Sequence, residues 1–347
     1  MSAALRRQLL RQGLVGGLLG ASGLMSGGAA AQGNPKSEAR AKAESFPDRP
    51  MKWIVPFPPG GPTDSFSRPV AQKLSEVVGQ PVVVENVPGA GASIGMERVA
   101  RSAPDGLTIG LATTGTHSIN PHLYGPRLPH DTSRDFTPLT LAVRYINVLV
   151  VNPKLGINSV ADLVAYAKAN PGKVTFGSAG NGSSNHLAGE ALRYVTGAPM
   201  QHIPYRGSAL AMADVIAGNI TFMFDVVVTA MPAVNSGRVR AIAVSGDKRS
   251  PHVPGVPAMP EAGFPGFSEV GSDLWFGIVG PAGIPAPVVT RLNRALIQAL
   301  RSTEVRERVA LQGFELWTST PEEFAAVIRA DRDRWGKLVK ASGARID

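Results

Sequence analysis

Short apolar runs rich in β-branched residues alternate with amphipathic stretches along nearly the whole chain, and the junctions between them are crowded with Gly, Pro, Ser and Thr. Runs of strand character lie at Ile54 to Phe57, Pro81 to Glu85, Leu107 to Ala112, Val174 to Gly177, Met200 to Ile203, Ile220 to Phe224 and Arg240 to Ser245. Between them the apolar residues recur at helical spacing. Val70, Leu74, Val77 and Val78 share one face, and Ser159 stands where it caps a helix carrying Val160, Leu163, Val164 and Ala167. Strand, helix and strand in units of this length predict an α/β protein with parallel sheets and right-handed crossovers. The C-terminal part adds helices over Pro287 to Arg301, Ser302 to Gln312 and Pro321 to Ser342, the last opened by the capping box Thr320-Pro-Glu-Glu323. Two further strands, Ile146 to Val151 and Leu274 to Val279, separate early, middle and late parts of the chain. As crossovers they make one lobe of residues 48–147 plus 273–347 and a second of 148–272. A two-strand hinge and a cleft between the lobes follow.

The stretch Lys52-Trp-Ile-Val-Pro-Phe-Pro-Pro-Gly-Gly-Pro-Thr-Asp-Ser-Phe-Ser-Arg68 reads as a buried strand, a sharp turn and a helix start. Pro56, Pro58 and Pro59 end the ladder because they donate no N–H, and Gly60-Gly61 permits positive φ. Thr63 or Asp64 is the expected helix cap, and Pro69 predicts a late start or a kink. The free N–H groups and partial positive charge of a helix N-terminus suit a small anion. Four strand ends, at Phe57–Asp64, Thr113–His117, Ser178–His186 and Tyr205–Gly207, each deliver such small polar residues to a helix start, two in each lobe. In open α/β sheets the crevice outside the strand carboxyl ends is where ligands bind.

The first 31 residues read as an export signal. Arg6, Arg7 and Arg11 precede a short apolar region from Leu14 to Met25, and Ala29-Ala30-Ala31 offers a cleavage site before Gln32. Arg6-Arg7 also fits a twin-arginine signal, so that Sec and twin-arginine routes stay open, and either leads to the periplasm of a cell with an outer membrane. The chain has no cysteine, which excludes disulfides, thiol catalysis, iron–sulfur clusters and thiolate zinc. The formal charge of +9 includes the three signal arginines. The remaining cations are scattered, and aromatics make up only 6% of the chain, so nothing points to nucleic acid.

Three constellations invite an enzymatic or cofactor reading, and each has a plainer account. Gly89-x-Gly91-x-x-x-Gly95 follows a strand and precedes a helix, but its last glycine is one residue late for a dinucleotide fingerprint. The acid expected after the next strand is also missing, since that strand ends in Ala112-Thr113. The glycines therefore shape a turn, and no cofactor is expected. Ser183, Ser184, His186 and Asp225 could form a hydrolase of the cleft, yet no Gly-x-Ser-x-Gly elbow surrounds either serine, and Ser183 to His186 is helix-start spacing. His186 and Glu190 lie one helical turn apart, and two ligands do not make a metal site.

Ile54-Val-Pro-Phe-Pro-Pro-Gly-Gly61 with Asp64 and Arg68, Gln80-Pro-Val-Val-Val-Glu-Asn86 with Pro88-Gly-Ala-Gly91, Ala103-Pro-Asp-Gly106, Gly180-Asn-Gly-Ser-Ser184 with His186, Pro204-Tyr-Arg-Gly207, Phe224-Asp225 and Pro281-Ala-Gly283 together resemble the Bug family. Its members are the extracytoplasmic substrate-binding proteins of tripartite tricarboxylate transporters. The resemblance runs through nearly the whole chain beyond the signal, in family order. It implies a type II periplasmic-binding-protein fold and capture, without chemistry, of a small carboxylate: a di- or tricarboxylate, an acidic amino acid or an aromatic acid. The implied partners are the membrane subunits of such a transporter, or alternatively a sensor kinase, and the implied state is a monomer. The ligand-binding residues so implied are Phe57, Pro58, Gly60, Gly61, Thr63 and Asp64, then Thr113, Thr114 and His117. The second lobe would contribute Asn181, Ser183, Ser184, His186, Tyr205, Arg206 and Asp225. The hydroxyls of Thr113, Ser183 and Ser184 would assist backbone N–H groups, and Asp225 would lie near the distal end of the ligand. Pro62 and Pro69 depart from the usual pattern at the rim of the first lobe.

Overall fold

The computed structural model describes residues 46–267 and 274–344. The expected signal segment lies outside the described residues.

The first strand, β1 (Met51–Val55), is buried along most of its length, and the turn after it leads into α1 (Pro62–Val78). There follow β2 (Val82–Asn86), α2 (Ser93–Ala100), β3 (Thr108–Thr113), a wide helical turn over Gly115–Ile119, α3 (Asn120–Tyr124) and the long strand β4 (Phe136–Tyr145). After a single intervening residue, Ile146, the chain enters β5 (Asn147–Val151). The second series is α4 (Val160–Ala169), β6 (Thr175–Ser178), α5 (Ser184–Thr196), β7 (Gln201–Pro204), α6 (Ser208–Ala217), β8 (Phe222–Val226), α7 (Val227–Asn235) and β9 (Arg240–Val244). The chain closes with β10 (Leu274–Pro281), α8 (Ala286–Leu300), α9 (Thr303–Leu311), the short β11 (Glu315–Leu316) and α10 (Pro321–Ser342).

These strands form two sheets. One has the order β11-β4-β10-β3-β1-β2 and the other β7-β6-β8-β5-β9. The βαβ units pair parallel, β1 with β2 and β3, and β6 with β7 and β8. The strands that carry the chain between lobes pair antiparallel, β10 with β3 and β4, and β5 with β8 and β9. The chain thus leaves the first sheet at Ile146 and returns to it at Leu274, which gives two α/β lobes with two crossings. A third tie comes from α10, which packs on β4 in its own lobe and on α5 in the other. There Arg193 donates to the Ser342 carbonyl at 2.9 Å while also pairing with the buried Glu190.

Local chemistry explains most element boundaries. Ser159 accepts from Asp162 N, and Thr320 and Glu323 form the expected capping box at the start of α10. At α1 the structure corrects the expected cap. The cap residue is Gly61, with no side-chain cap, and Pro62 takes the first helical position, where its missing N–H costs nothing. Pro69 neither delays nor ends the helix. It deprives the Ser65 carbonyl of its usual donor four residues on, and the Gln312 side chain donates to that carbonyl instead, at 3.3 Å. Strand β4, helix α7 and strand β11 were not legible in the sequence. Thr137-Pro138 and Thr140 break the apolar pattern of β4, and inside the protein the Thr140 hydroxyl is absorbed by the Leu141 and Ser319 carbonyls.

Candidate functional site

A cavity of about 290 Å³ lies between the lobes. From the first lobe it is walled by the turn from Phe57 to Thr63, by Thr113 and Gly115 at the end of β3, and by Tyr145 and Phe276 at the crossings. From the second lobe it takes Ala179, Ser183 to Asn185, Arg206 to Leu210 and Val226. Three helices, α1, α5 and α6, begin in this wall, so their first-turn N–H groups open onto it. Arg206 is the only charged side chain of the wall among the described residues, and it has no hydrogen bond or ion pair among them. Positive charge therefore dominates the cavity, through three helix dipoles and one guanidinium.

The lobes touch around the cavity. A side chain on Gly207 would come within 3.4 Å of Pro58. A Cβ on Gly115 would lie 2.6 Å from the Gly182 carbonyl, and one on Gly91 would lie 2.5 Å from the Asn181 carbonyl. The Gly89–Gly95 segment, with a 3-10 turn inside it, thus serves as a place where backbone meets backbone across the lobes.

Of the residues expected to meet ligand, Phe57, Pro58, Gly61, Thr63, Thr113, Ser183, Ser184 and Arg206 stand in the cavity wall. The rest are not part of the wall, and each has a structural occupation. Asp64 turns its carboxylate back to accept from Gly60 N at 3.0 Å, Arg68 Nε at 2.9 Å and Asn86 Nδ2 at 3.0 Å. Asn86 in turn donates to the Phe57 carbonyl at 3.1 Å. Gly60 holds φ +80° here, a conformation few side chains tolerate. Burial works to raise the Asp64 pKa, but the hydrogen bonds from Arg68, Gly60 and Asn86 outweigh it and hold the carboxyl below its usual range. Asp64 is the clamp of the Phe57–Gly61 turn. Asp64→Ala is expected to destabilise the protein by about 2 kcal/mol, since hydrogen bonds to charged groups are lost and buried donors are left unpaired. Thermal unfolding would show this as a lowered midpoint, and an unchanged midpoint would refute the clamp.

Thr114 is buried against β10, where its hydroxyl accepts from Trp275 N at 2.9 Å. His117 is fully buried beside Phe136, and burial first, then His130 and Arg332, push its pKa down to about 3. Tyr205 points its hydroxyl at Asp214, 2.5 Å away. Asn181 meets the first lobe through its backbone carbonyl. His186 accepts from Gly182 N at 3.2 Å through Nδ1 and stacks on His202 at 3.9 Å, and burial and the neighbouring His202 and Arg193 hold it neutral. Asp225 is fully buried behind Val226, where Val226 N and the Thr229 hydroxyl donate to it at 2.9 and 2.6 Å. Burial raises its pKa to about 7.

These placements dispose of a serine hydrolase. The Ser183 hydroxyl donates to the Gly180 carbonyl at 2.7 Å and accepts from the backbone N of His186, not from its ring. Asp225 is occupied elsewhere, so no nucleophile, base and orienter converge. His186 and Glu190 stand 3.9 Å apart, and no group of three potential ligands among the described residues could hold a metal.

The wall residues that sequence reasoning missed are chiefly Tyr145, Phe276 and Val226 at the crossings, and Ser208 to Leu210 on α6. Tyr145 directly precedes the expected crossover strand, a signal that could have found it. Phe276 lies inside the second crossover strand, hidden among equally apolar neighbours.

Two α/β lobes closing on a cavity fed by helix N-termini define a two-lobe solute-binding protein. Residues 66–344 match the model of the tripartite tricarboxylate transporter family receptors, and the chain belongs to this family. It is 37% identical to the protein BugT of Bordetella pertussis over 308 residues, 89% of this chain and 94% of BugT. Among solved structures, Rpa4515 of R. palustris with adipate superimposes with a TM-score of 0.81 at 33% identity, covering 86% of this chain and 98% of that one. MatC of Rhodopseudomonas palustris with bound malate gives 0.79 at 31% identity, covering 85% and 100%. The family is one of binding receptors, not enzymes. No helix among the described residues is long and apolar enough to cross a membrane.

Proposed function

We propose that the protein is an exported, periplasmic receptor that captures a small carboxylate between its lobes and delivers it to the membrane subunits of a tripartite tricarboxylate-type transporter. The observation that carries this reading is the convergence on one interlobe cavity of three helix N-termini and of Arg206, which has no partner among the described residues. Among the described residues no acidic side chain shares the wall. The relatives that hold adipate and malate are consistent with an acid as guest. The N-terminal Arg-rich and apolar segment supplies the export signal. Binding energy from both lobes favours the closed arrangement, and opening on the transporter releases the ligand.

The test is thermal unfolding against mono-, di- and tricarboxylates, acidic amino acids and aromatic acids, after denaturation and refolding to strip any host ligand. A true ligand at about a hundred times its dissociation constant stabilises by about 2.7 kcal/mol. Arg206→Ala should weaken that ligand roughly 10- to 100-fold by calorimetry, the worth of one charge-assisted hydrogen bond. If no acid in the panel raises the midpoint, carboxylate capture is refuted. Transporter coupling has its own test, loss of uptake of the ligand when the gene is deleted.

A further inference from the structure

We infer that Tyr145 binds the ligand: its hydroxyl is paired with that of Ser184, and the pair presents its one uncommitted proton to the ligand's carboxylate beside the open N–H groups at the start of α5. The inference rests on the carboxylate reading above and deepens it.

Tyr145 is the last residue of β4, and Ser184 is the first of α5 in the other lobe. Both stand in the cavity wall, and their hydroxyls are hydrogen-bonded to each other. Packing fixes the tyrosine in place. Its ring centroid lies 4.7 Å from that of Phe276 and 5.6 Å from that of Phe314, and only 6% of the residue is exposed. Burial raises the pKa of its hydroxyl, which therefore stays a donor at physiological pH. Two hydroxyls carry two protons, and the hydrogen bond between them uses one. Neither has a further partner among the described residues. The second proton is thus left without an acceptor, in a wall that holds no acidic side chain among those residues.

The backbone beside this pair is in the same condition. At the start of α5 the Ser183 hydroxyl accepts from His186 N at 3.3 Å, and the Ser183 carbonyl accepts from Leu187 N at 3.2 Å. The N–H groups of Ser184 and Asn185, both wall residues, have no acceptor among the described residues. The Asn185 side chain is turned to the Phe224 carbonyl, to which its Nδ2 donates at 2.8 Å. The Ser183 hydroxyl, expected to assist the ligand, spends its proton on the Gly180 carbonyl at 2.7 Å. The shared proton of Tyr145 and Ser184 takes its place. A carboxylate only accepts, through two oxygens with about four lone-pair sites, so it can take this proton and both N–H groups.

The test is a double-mutant cycle, Tyr145→Phe and Ser184→Ala singly and together, read by calorimetry on the stripped protein with adipate, malate, citrate, glutamate and benzoate. Tyr145→Phe keeps the ring, and removing both hydroxyls leaves neither unpaired, so the ligand-free midpoint should change little. Each single variant keeps one hydroxyl in the wall, with its proton released by the loss of the other. The double variant keeps none. It should bind at least tenfold more weakly any acid that the natural protein binds, by more than the product of the two single losses. Natural affinity in the double variant, or losses that simply multiply, overturns the inference and leaves carboxylate capture standing. Binding of none of the five acids by the natural protein overturns both.

Discussion

Gly115→Ala is expected to cost at least tenfold in ligand affinity while leaving the unfolding midpoint of the ligand-free protein nearly unchanged. The added methyl would sit 2.6 Å from the Gly182 carbonyl, a backbone atom of the opposite lobe, which cannot rotate aside as a side chain would. Gly115 does not hold a positive φ, so alanine brings no strain within its own lobe. The clash therefore falls on the approach of the lobes and not on either fold. Contacts from one lobe must loosen when the lobes are held apart, and a tenfold loss corresponds to about 1.4 kcal/mol. Calorimetry gives the affinity, and small-angle scattering with saturating ligand should show the natural protein compacting and the variant failing to. Natural affinity together with natural compaction in the variant would show that this contact does not limit closure.

The division of labour between backbone and side chains explains what could be read in advance. The alternation of strands and helices, most boundaries and the two crossings at Ile146 and Leu274 follow from period and from Gly and Pro punctuation, which act locally. The strand ends that build the cavity were legible for the same reason. What could not be read was direction. Asp64, Tyr205 and Asp225 lie within or beside strand-to-helix turns, as a ligand-binding residue would, but each turns to a partner within its own lobe: Asn86, Asp214 and Thr229. Nothing in spacing distinguishes a carboxylate that clamps a turn from one that faces a cleft. Conversely, Tyr145 and Phe276 enter the wall only because two distant strands pair, Leu274 opposite Tyr145, and such long-range register leaves no local trace. Gly91 and Gly115 likewise show their purpose only when the second lobe is set against them.

The second large effect concerns Asp225, whose burial lifts its pKa to about 7 against an ordinary value near 4. Its hydrogen bonds from Thr229, Val226 N and Ser208 oppose the shift without cancelling it. Because the folded protein holds this proton more tightly than the unfolded chain, the group's contribution to stability is complete below about pH 4. It is lost as pH rises toward 7, where only the folded form has still to ionise. Three pH units of such mismatch amount to a cost on the order of 4 kcal/mol at pH 8. Asp225→Asn removes the ionisation while keeping the shape. The amide oxygen still accepts from Val226 N, and its NH₂ donates to the Thr229 oxygen, whose own proton has the Val226 carbonyl 3.0 Å away as acceptor. The variant should accordingly unfold at nearly the natural temperature at pH 4 and several degrees higher at pH 8. A difference between the two proteins that stays constant from pH 4 to pH 8 would mean that Asp225 is not held protonated by burial.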